Sequence, residues 1–66
     1  MYVGEESGYR IFAVEDDVVH WLRITFGGNV KAIVNVPYRS IFGNDVLQRW
    51  VYVTDEQETM MRLKFQ

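Results

Sequence analysis

The sequence contains no cysteine, one histidine and one proline. Without cysteine the chain can form neither a disulfide framework nor a thiolate metal site, and such a composition fits a reducing compartment. Its apolar runs are short, and residues 1–6 contain neither a basic segment nor an apolar stretch, so we expect no signal peptide and no membrane span. The sequence therefore predicts a cytoplasmic protein.

An excess of charge of one sign is also lacking. The net charge is −2 and the isoelectric point is near 5.2, which gives no general attraction to nucleic acid or to anionic membranes. His20 has no second histidine, cysteine or suitably placed carboxylate to complete a metal or catalytic site, and we expect it to be half-buried and hydrogen-bonded within a sheet. We expect neither enzymatic activity nor a bound cofactor or metal.

The length predicts a single domain over residues 1–66, with residues 1–8 as a loosely held arm. A domain of this size buries only about 60% of the surface that its unfolded chain exposes. Hydrophobic residues make up 48% of the chain and ten residues are aromatic. This apolar excess predicts contact with a partner or a second copy, although folded proteins in general also expose apolar atoms.

The run from Val18 to Val36 has the pattern of a β-hairpin, and the other predicted strands are placed against it. Apolar and β-branched residues fill 18–26 and 30–36, and Gly27-Gly28-Asn29 between them is a turn signal. A three-residue loop places Leu22 and Ile24 on the core face. The same register places Trp21, Arg23 and Ile33 on the opposite, outer face.

Three further strands are predicted over 9–14, 47–53 and 59–66, with at most one short helical turn near 38–45. Pairing 9–14 with the first hairpin strand adds Ile11 to the core face and Phe12 to the outer face. An open two-sided sheet of this length would leave much apolar surface in water. The predicted fold is therefore mainly β: about five antiparallel strands, strongly curled or closed into a small SH3-like or OB-like barrel.

The last residues also support a different structure. Thr54-Asp55-Glu56-Gln57 has the form of a helix capping box, whereas the residues from Thr59 onward alternate with the period of a strand. The strand is the favoured interpretation. The alternative is an α+β fold with a C-terminal helix at 55–65 across the sheet.

The predicted function is that of a non-enzymatic small protein that binds another macromolecule. A protein is the favoured partner, and the chain would act as a regulator, an inhibitor or an assembly subunit. Exposed edge strands also predict a possible homodimer. The candidate partner-binding residues are those of the outer face: Phe12, Trp21, Arg23 and Ile33.

The alternative function is binding of single-stranded nucleic acid. The acids collect in the arm and turns, whereas most of the cations fall within predicted strands, where they could neutralise phosphates while aromatic rings stack on bases. Cationic side chains are also what a soluble sheet ordinarily shows to water. The candidate nucleic-acid face comprises Arg10, Trp21, Arg23, Lys31, Arg49, Arg62 and Lys64.

Overall fold

A computed structural model describes residues 1–65 and contains a four-stranded antiparallel sheet and two helices. The elements are β1 (Tyr2–Glu6), β2 (Tyr9–Val14), α1 (Asp16–Phe26), a 3₁₀ helix (Gly27–Asn29), β3 (Ala32–Arg39), β4 (Asp45–Val53) and α2 (Asp55–Phe65). The strands lie in the order β1-β2-β4-β3. Because β1 and β3 are free edges, the sheet is not closed, and the prediction of a five-stranded barrel is wrong. The alternative α+β fold is confirmed.

The first half of the predicted hairpin is the helix α1. Its acidic residues Asp16 and Asp17 occupy the first turn, where they interact favourably with the helix dipole, and Arg23 lies in the last turn. The apolar residues Val19, Leu22 and Phe26 recur at helical spacing. Gly27 ends the helix with a φ of 59°, and its N–H donates to the carbonyl oxygen of Arg23. The glycines predicted to turn a hairpin instead end this helix.

The structure confirms that the segments predicted as β2 and β4 are strands. β2 has the predicted bounds, and β4 begins two residues earlier than predicted and lies at the centre of the sheet. The second predicted hairpin strand corresponds to β3, which continues through Pro37 to Arg39. β3 can include Pro37 because it is an edge strand, which tolerates a residue without an N–H group. After β3, residues 41–43 form a turn that contains no helical segment.

The N-terminal stretch assigned to an arm contains the edge strand β1. Met1 donates to and accepts from the backbone of Ala13, each at 2.8 Å, and β1 then pairs with β2 through Glu6 and Tyr9. Ser7 and Gly8 make the connection to β2 with positive φ angles. The single domain over 1–66 stays a prediction.

The helix α2 begins with the capping box that the sequence contains. The backbone N–H of Gln57 donates to Thr54 Oγ1 at 3.2 Å, and the backbone N–H of Thr54 donates to Gln57 Oε1 at 3.0 Å. The buried Gln57 also donates from Nε2 to the carbonyl oxygen of Asn29 at 3.1 Å. The strand predicted over 59–66 is therefore wrong within the described residues, and Gln66 lies outside them.

Removing the cap should weaken α2 measurably. We expect Thr54→Ala to lower the free energy of unfolding by about 1 kcal/mol, because the N–H of Gln57 loses its acceptor. Thr59→Ala is the matched control: its hydroxyl bonds only to the carbonyl oxygen of Asp55, which the helix itself can satisfy. Urea denaturation followed by circular dichroism measures both, and equal losses would contradict a specific role of the cap.

The core lies between the helices and one face of the sheet. Leu22, Val19, Val51 and Val53 are fully buried, and Phe12 and Met61 complete the cluster. No helix within residues 1–65 is long and apolar enough to cross a membrane.

Candidate functional site

The two faces of the sheet have different environments. Successive residues of a strand point to opposite faces, and the pairing of β2, β3 and β4 is continuous, so each residue can be assigned to one face. Phe12 and Val51 pack against the helices, which defines the helix-covered face. That face comprises Arg10, Phe12 and Val14 of β2, Ile33, Asn35, Pro37 and Arg39 of β3, and Leu47, Arg49, Val51 and Val53 of β4.

The opposite face of the sheet has no helix over it within residues 1–65. We call it the open face, and it is mainly apolar and aromatic. It comprises Gly4 and Glu6 of β1, Tyr9, Ile11 and Ala13 of β2, Ala32, Val34, Val36 and Tyr38 of β3, and Val46, Gln48, Trp50 and Tyr52 of β4.

Tyr52 lies flat across the open face. Its hydroxyl donates to Glu6 Oε2 at 3.1 Å. Tyr52 is on β4 and Glu6 on β1, with β2 between them, so the side chains of Glu6 and Tyr52 together span two strand spacings, or about 10 Å, and the Tyr52 side chain extends over β2. Its course over β2 explains why Ile11, which pairs with Tyr52, is only 6% exposed on a face that no helix covers.

The hydrogen bond to Glu6 also affects the ionisation of Tyr52. This bond, together with burial and the nearby negative charge, raises the pKa of the Tyr52 hydroxyl above its ordinary value. The hydroxyl therefore stays protonated and continues to donate to Glu6 throughout the neutral pH range. The ring orientation on the open face is insensitive to pH in that range.

Two more aromatic side chains of the open face have defined partners. Trp50 Nε1 donates to Gln48 Oε1 at 3.3 Å, which orients the indole along β4. The ammonium of Lys31, just before β3, lies 5.6 Å from the ring centroid of Tyr9. Among the described residues, Glu6 is the only charged residue of the open face, and Lys31 lies next to that face towards the same end of the sheet.

The helix-covered face contains an ion cluster around Glu58 of α2. The carboxylate accepts from Arg10 of β2 and from Arg62 Nε at 2.8 Å, and Arg10 Nε is also 3.4 Å from Asp55 Oδ1. Glu58 is only 6% exposed. The hydrogen bonds from Arg62 and Arg10 hold the pKa of its carboxyl below the usual value, against the effect of burial. This cluster fixes α2 to β2 and contributes no free charge to a binding surface.

The structure does not bring the predicted partner-binding residues together on one surface. Phe12 lies in the core, and Ile33 packs against the core from β3. Trp21 is half-buried in α1, where its ring meets Phe26 and Phe65 edge to face at centroid distances of 5.8 and 5.4 Å. Arg23 is exposed on α1. The assignment of Phe12 to an outer face is wrong, because the helices cover that face.

The predicted nucleic-acid residues are also dispersed. Arg10 and Arg62 belong to the cluster around Glu58, and Arg49 Nε lies 3.4 Å from Asp16 Oδ1 of α1. Arg23 and Lys64 lie on the two helices. Of the predicted cations, Lys31 alone lies next to the open face. His20, expected to be half-buried in a sheet, is exposed on α1.

The sequence prediction missed Val34, Trp50 and Tyr52 as surface residues. The signal for Trp50 and Tyr52 is their i, i+2 spacing in the predicted strand 47–53, which places both aromatic side chains on one face. The described residues contain no group of three histidine, cysteine, aspartate or glutamate side chains that could hold a metal ion. No family model matches the chain, and no curated protein or solved structure shows significant similarity to it.

Proposed function

We propose that this protein is a non-enzymatic binding module that recognises another protein through the open face of its sheet. The observation that supports the proposal is an uncovered, nearly uncharged sheet face with four aromatic side chains: Tyr9, Tyr38, Trp50 and Tyr52. Tyrosine and tryptophan are the residues most enriched at the energetic centres of protein interfaces. Action as a regulator, inhibitor or assembly subunit is consistent with such a module.

The size of the open face agrees with this role. The four strands are 5 to 9 residues long, or about 16–30 Å, and at about 4.8 Å spacing they give a footprint of roughly 400–500 Å². The largest apolar patch on a typical monomer covers about 300–600 Å² and is often functional. A partner that matches this surface presents a flat apolar patch without charge at its centre, because a charge placed there would lose its hydration without gaining an ion pair.

Single-stranded nucleic acid is the second candidate ligand. The hydrogen bonds of Trp50 and Tyr52 orient two aromatic side chains on which bases could stack. Nucleic-acid affinity depends mainly on cations that contact phosphates, however, and the open face has only Lys31, while Glu6 repels a phosphate nearby. Protein recognition is therefore the better supported function. A cytoplasmic location stays a prediction.

A charge at the centre of the open face tests the proposal. We expect Val34→Glu to weaken binding of a partner captured from the native host by at least about tenfold, because a carboxylate is buried against an apolar surface. Asn35→Glu is the matched control: it adds the same charge to the next residue of β3, which belongs to the helix-covered face. The measurement is a titration of the purified partner with each folded variant.

Two results would contradict protein recognition by the open face. One is equal affinity of the partner for the original chain and for Val34→Glu. The other is tight binding of mixed-sequence single-stranded RNA or DNA at low salt that falls steeply as salt is added and is lost in Val34→Glu. The second result would establish the nucleic-acid function instead.

A further inference from the structure

The hairpin formed by β3 and β4 extends past the rest of the sheet and presents apolar side chains at its tip. β2 ends opposite Arg49, so residues 36–39 and 45–48 pair only with each other. At the tip, Ile41 is 90% exposed and Phe42 is 83% exposed. We call Ile41 and Phe42 the hairpin tip. Two consecutive large apolar residues at the end of a soluble hairpin are costly in water unless something covers them.

The turn that carries the hairpin tip has a defined conformation. Ser40 Oγ accepts from the backbone N–H groups of Phe42 and Asn44, at 3.2 and 3.3 Å. The backbone N–H of Ser40 donates to the carbonyl oxygen of Asn44 at 2.9 Å, and Gly43 adopts a φ of 82° that a side chain would disfavour. The apolar residues are therefore presented in a fixed arrangement, which lowers the entropy lost on docking.

An apolar groove lies at the base of the same hairpin. It is open, has a volume of about 1120 Å³, and lies between the start of α1, the end of α2 and the sheet. Its apolar lining includes Tyr2, Val14, Val18, Leu47 and Phe65. Leu47 belongs to the hairpin itself and is largely exposed.

We propose that the hairpin tip of one copy docks into the groove of a second copy, and that the exchange is reciprocal. The groove lies at the base of the hairpin and the apolar tip at its end. Two hairpins that lie side by side in opposite directions therefore bring each tip to the groove of the other copy. This arrangement has a two-fold axis and closes on itself, which gives a dimer and not a filament.

The charges beside the two surfaces are compatible with this pairing. Arg39 and Asp45 lie next to the hairpin tip, and Arg39 Nε is 3.4 Å from Asp45 Oδ1. Asp16 and Arg49 border the groove, and Arg49 Nε is 3.4 Å from Asp16 Oδ1. The groove is also lined by Glu15 and Arg62, so both surfaces carry equal numbers of cationic and anionic side chains. Antiparallel hairpins can place Arg39 near Asp16 of the other copy and Asp45 near its Arg49, so that these four charges exchange partners on docking and none of the four is left unpaired.

The area fits a weak dimer. A buried phenylalanine contributes about 150–250 Å², so Ile41 and Phe42 together offer roughly 300–350 Å². Reciprocal docking of two tips into two open grooves buries on the order of 1,000 Å² in total. This is the lower limit for a biological interface and agrees with a micromolar dissociation constant.

Sedimentation velocity over about 5–500 μM tests self-association, a range suited to micromolar affinities. We expect a concentration-dependent dimer, and Phe42→Asp should raise its dissociation constant at least about tenfold while the circular dichroism spectrum stays unchanged. Ile24→Asp is the matched control: Ile24 is also largely exposed, but it lies on α1 away from tip and groove, so the dimer should persist. A monomer at every concentration, or a dimer that Phe42→Asp leaves intact, would overturn the proposal.

Cross-linking then tests where the tip docks. Because the chain has no cysteine, Phe42→Cys and Glu15→Cys chains can be mixed under mild oxidation; Glu15 lies at the groove. Tip-to-groove docking predicts that the mixed disulfide forms several-fold faster than either symmetric one. Predominant Phe42→Cys homodimers would indicate tip-to-tip contact, and predominant Glu15→Cys homodimers would indicate a different interface; either result would reject the proposal. These outcomes are independent of Val34→Glu, which changes the open face.

Discussion

Leu22→Ala is expected to lower the free energy of unfolding by about 2–5 kcal/mol. Leu22 is fully buried, with 0% exposure, between α1 and the sheet, and the substitution leaves a cavity among the residues of the core. A domain of 66 residues has a total stability of roughly 3–10 kcal/mol. The variant should therefore lose a large part of its stability and unfold at a much lower urea concentration than the original chain.

The matched control for Leu22→Ala is Ile24→Ala. Ile24 is 70% exposed on the same helix, and its truncation should change the stability by no more than about 0.5 kcal/mol. Urea denaturation followed by tryptophan fluorescence measures both variants. In a strand, residues 22 and 24 would share one face and the two losses would be similar. Unequal losses therefore test the helical phase of α1 directly, and equal losses would contradict it.

Glu58→Gln is expected to lower the free energy of unfolding by about 1–3 kcal/mol at neutral pH. Glu58 is buried in the folded protein, where one carboxylate accepts from both Arg10 and Arg62. A neutral amide of the same shape cannot accept two charged hydrogen bonds equally well, so one guanidinium loses its partner. Glu56→Gln is the control, because Glu56 lies exposed in the first turn of the same helix.

The Glu58 cluster also predicts a dependence of stability on pH. The pKa of Glu58 is lower in the folded chain than in the unfolded chain, where it is about 4.3. The stabilisation is therefore complete above that value and is lost as the pH falls through the lowered native pKa. Urea midpoints measured from pH 7 to pH 3 should converge for the original chain and Glu58→Gln. A constant difference over this range would contradict the assignment.

The two central strands, β2 and β4, could be predicted from the sequence because their residues favour a strand over a helix. β2 and β4 combine β-branched and aromatic residues between turn signals, and no helical spacing competes with them. In α1, the pattern Val19, Leu22, Phe26 fits a helix while Leu22, Ile24, Phe26 fits a strand. The valine, isoleucine and threonine content favours the strand, but packing of the helix over the sheet outweighs that small intrinsic preference.

The surface that forms the candidate site could not be predicted, because it depends on the position of helix α1, which the sequence analysis interpreted as a strand. The alternation in β2 correctly separates Ile11 from Phe12. Which of the two faces is the interior depends on where α1 and α2 lie, and strand periodicity contains no information about that. Once α1 covers the side of Phe12, the apolar face of Ile11, Trp50 and Tyr52 becomes the surface. For the same reason Trp21 was named as an interface residue and Trp50 was not.

The order of the strands has a consequence for the folding pathway. The hairpin of β3 and β4 closes across a short turn, whereas β2 pairs with β4 through residues such as Phe12 and Val51. Those two residues are about forty positions apart in the chain, and closing a loop of that length costs about 3 kcal/mol in chain entropy. β1 and β2 are joined only by Ser7 and Gly8, so they also close across a short turn. We infer that both hairpins form early, and that the hairpin of β1 and β2 is added to β4 once α1 has bridged the distance.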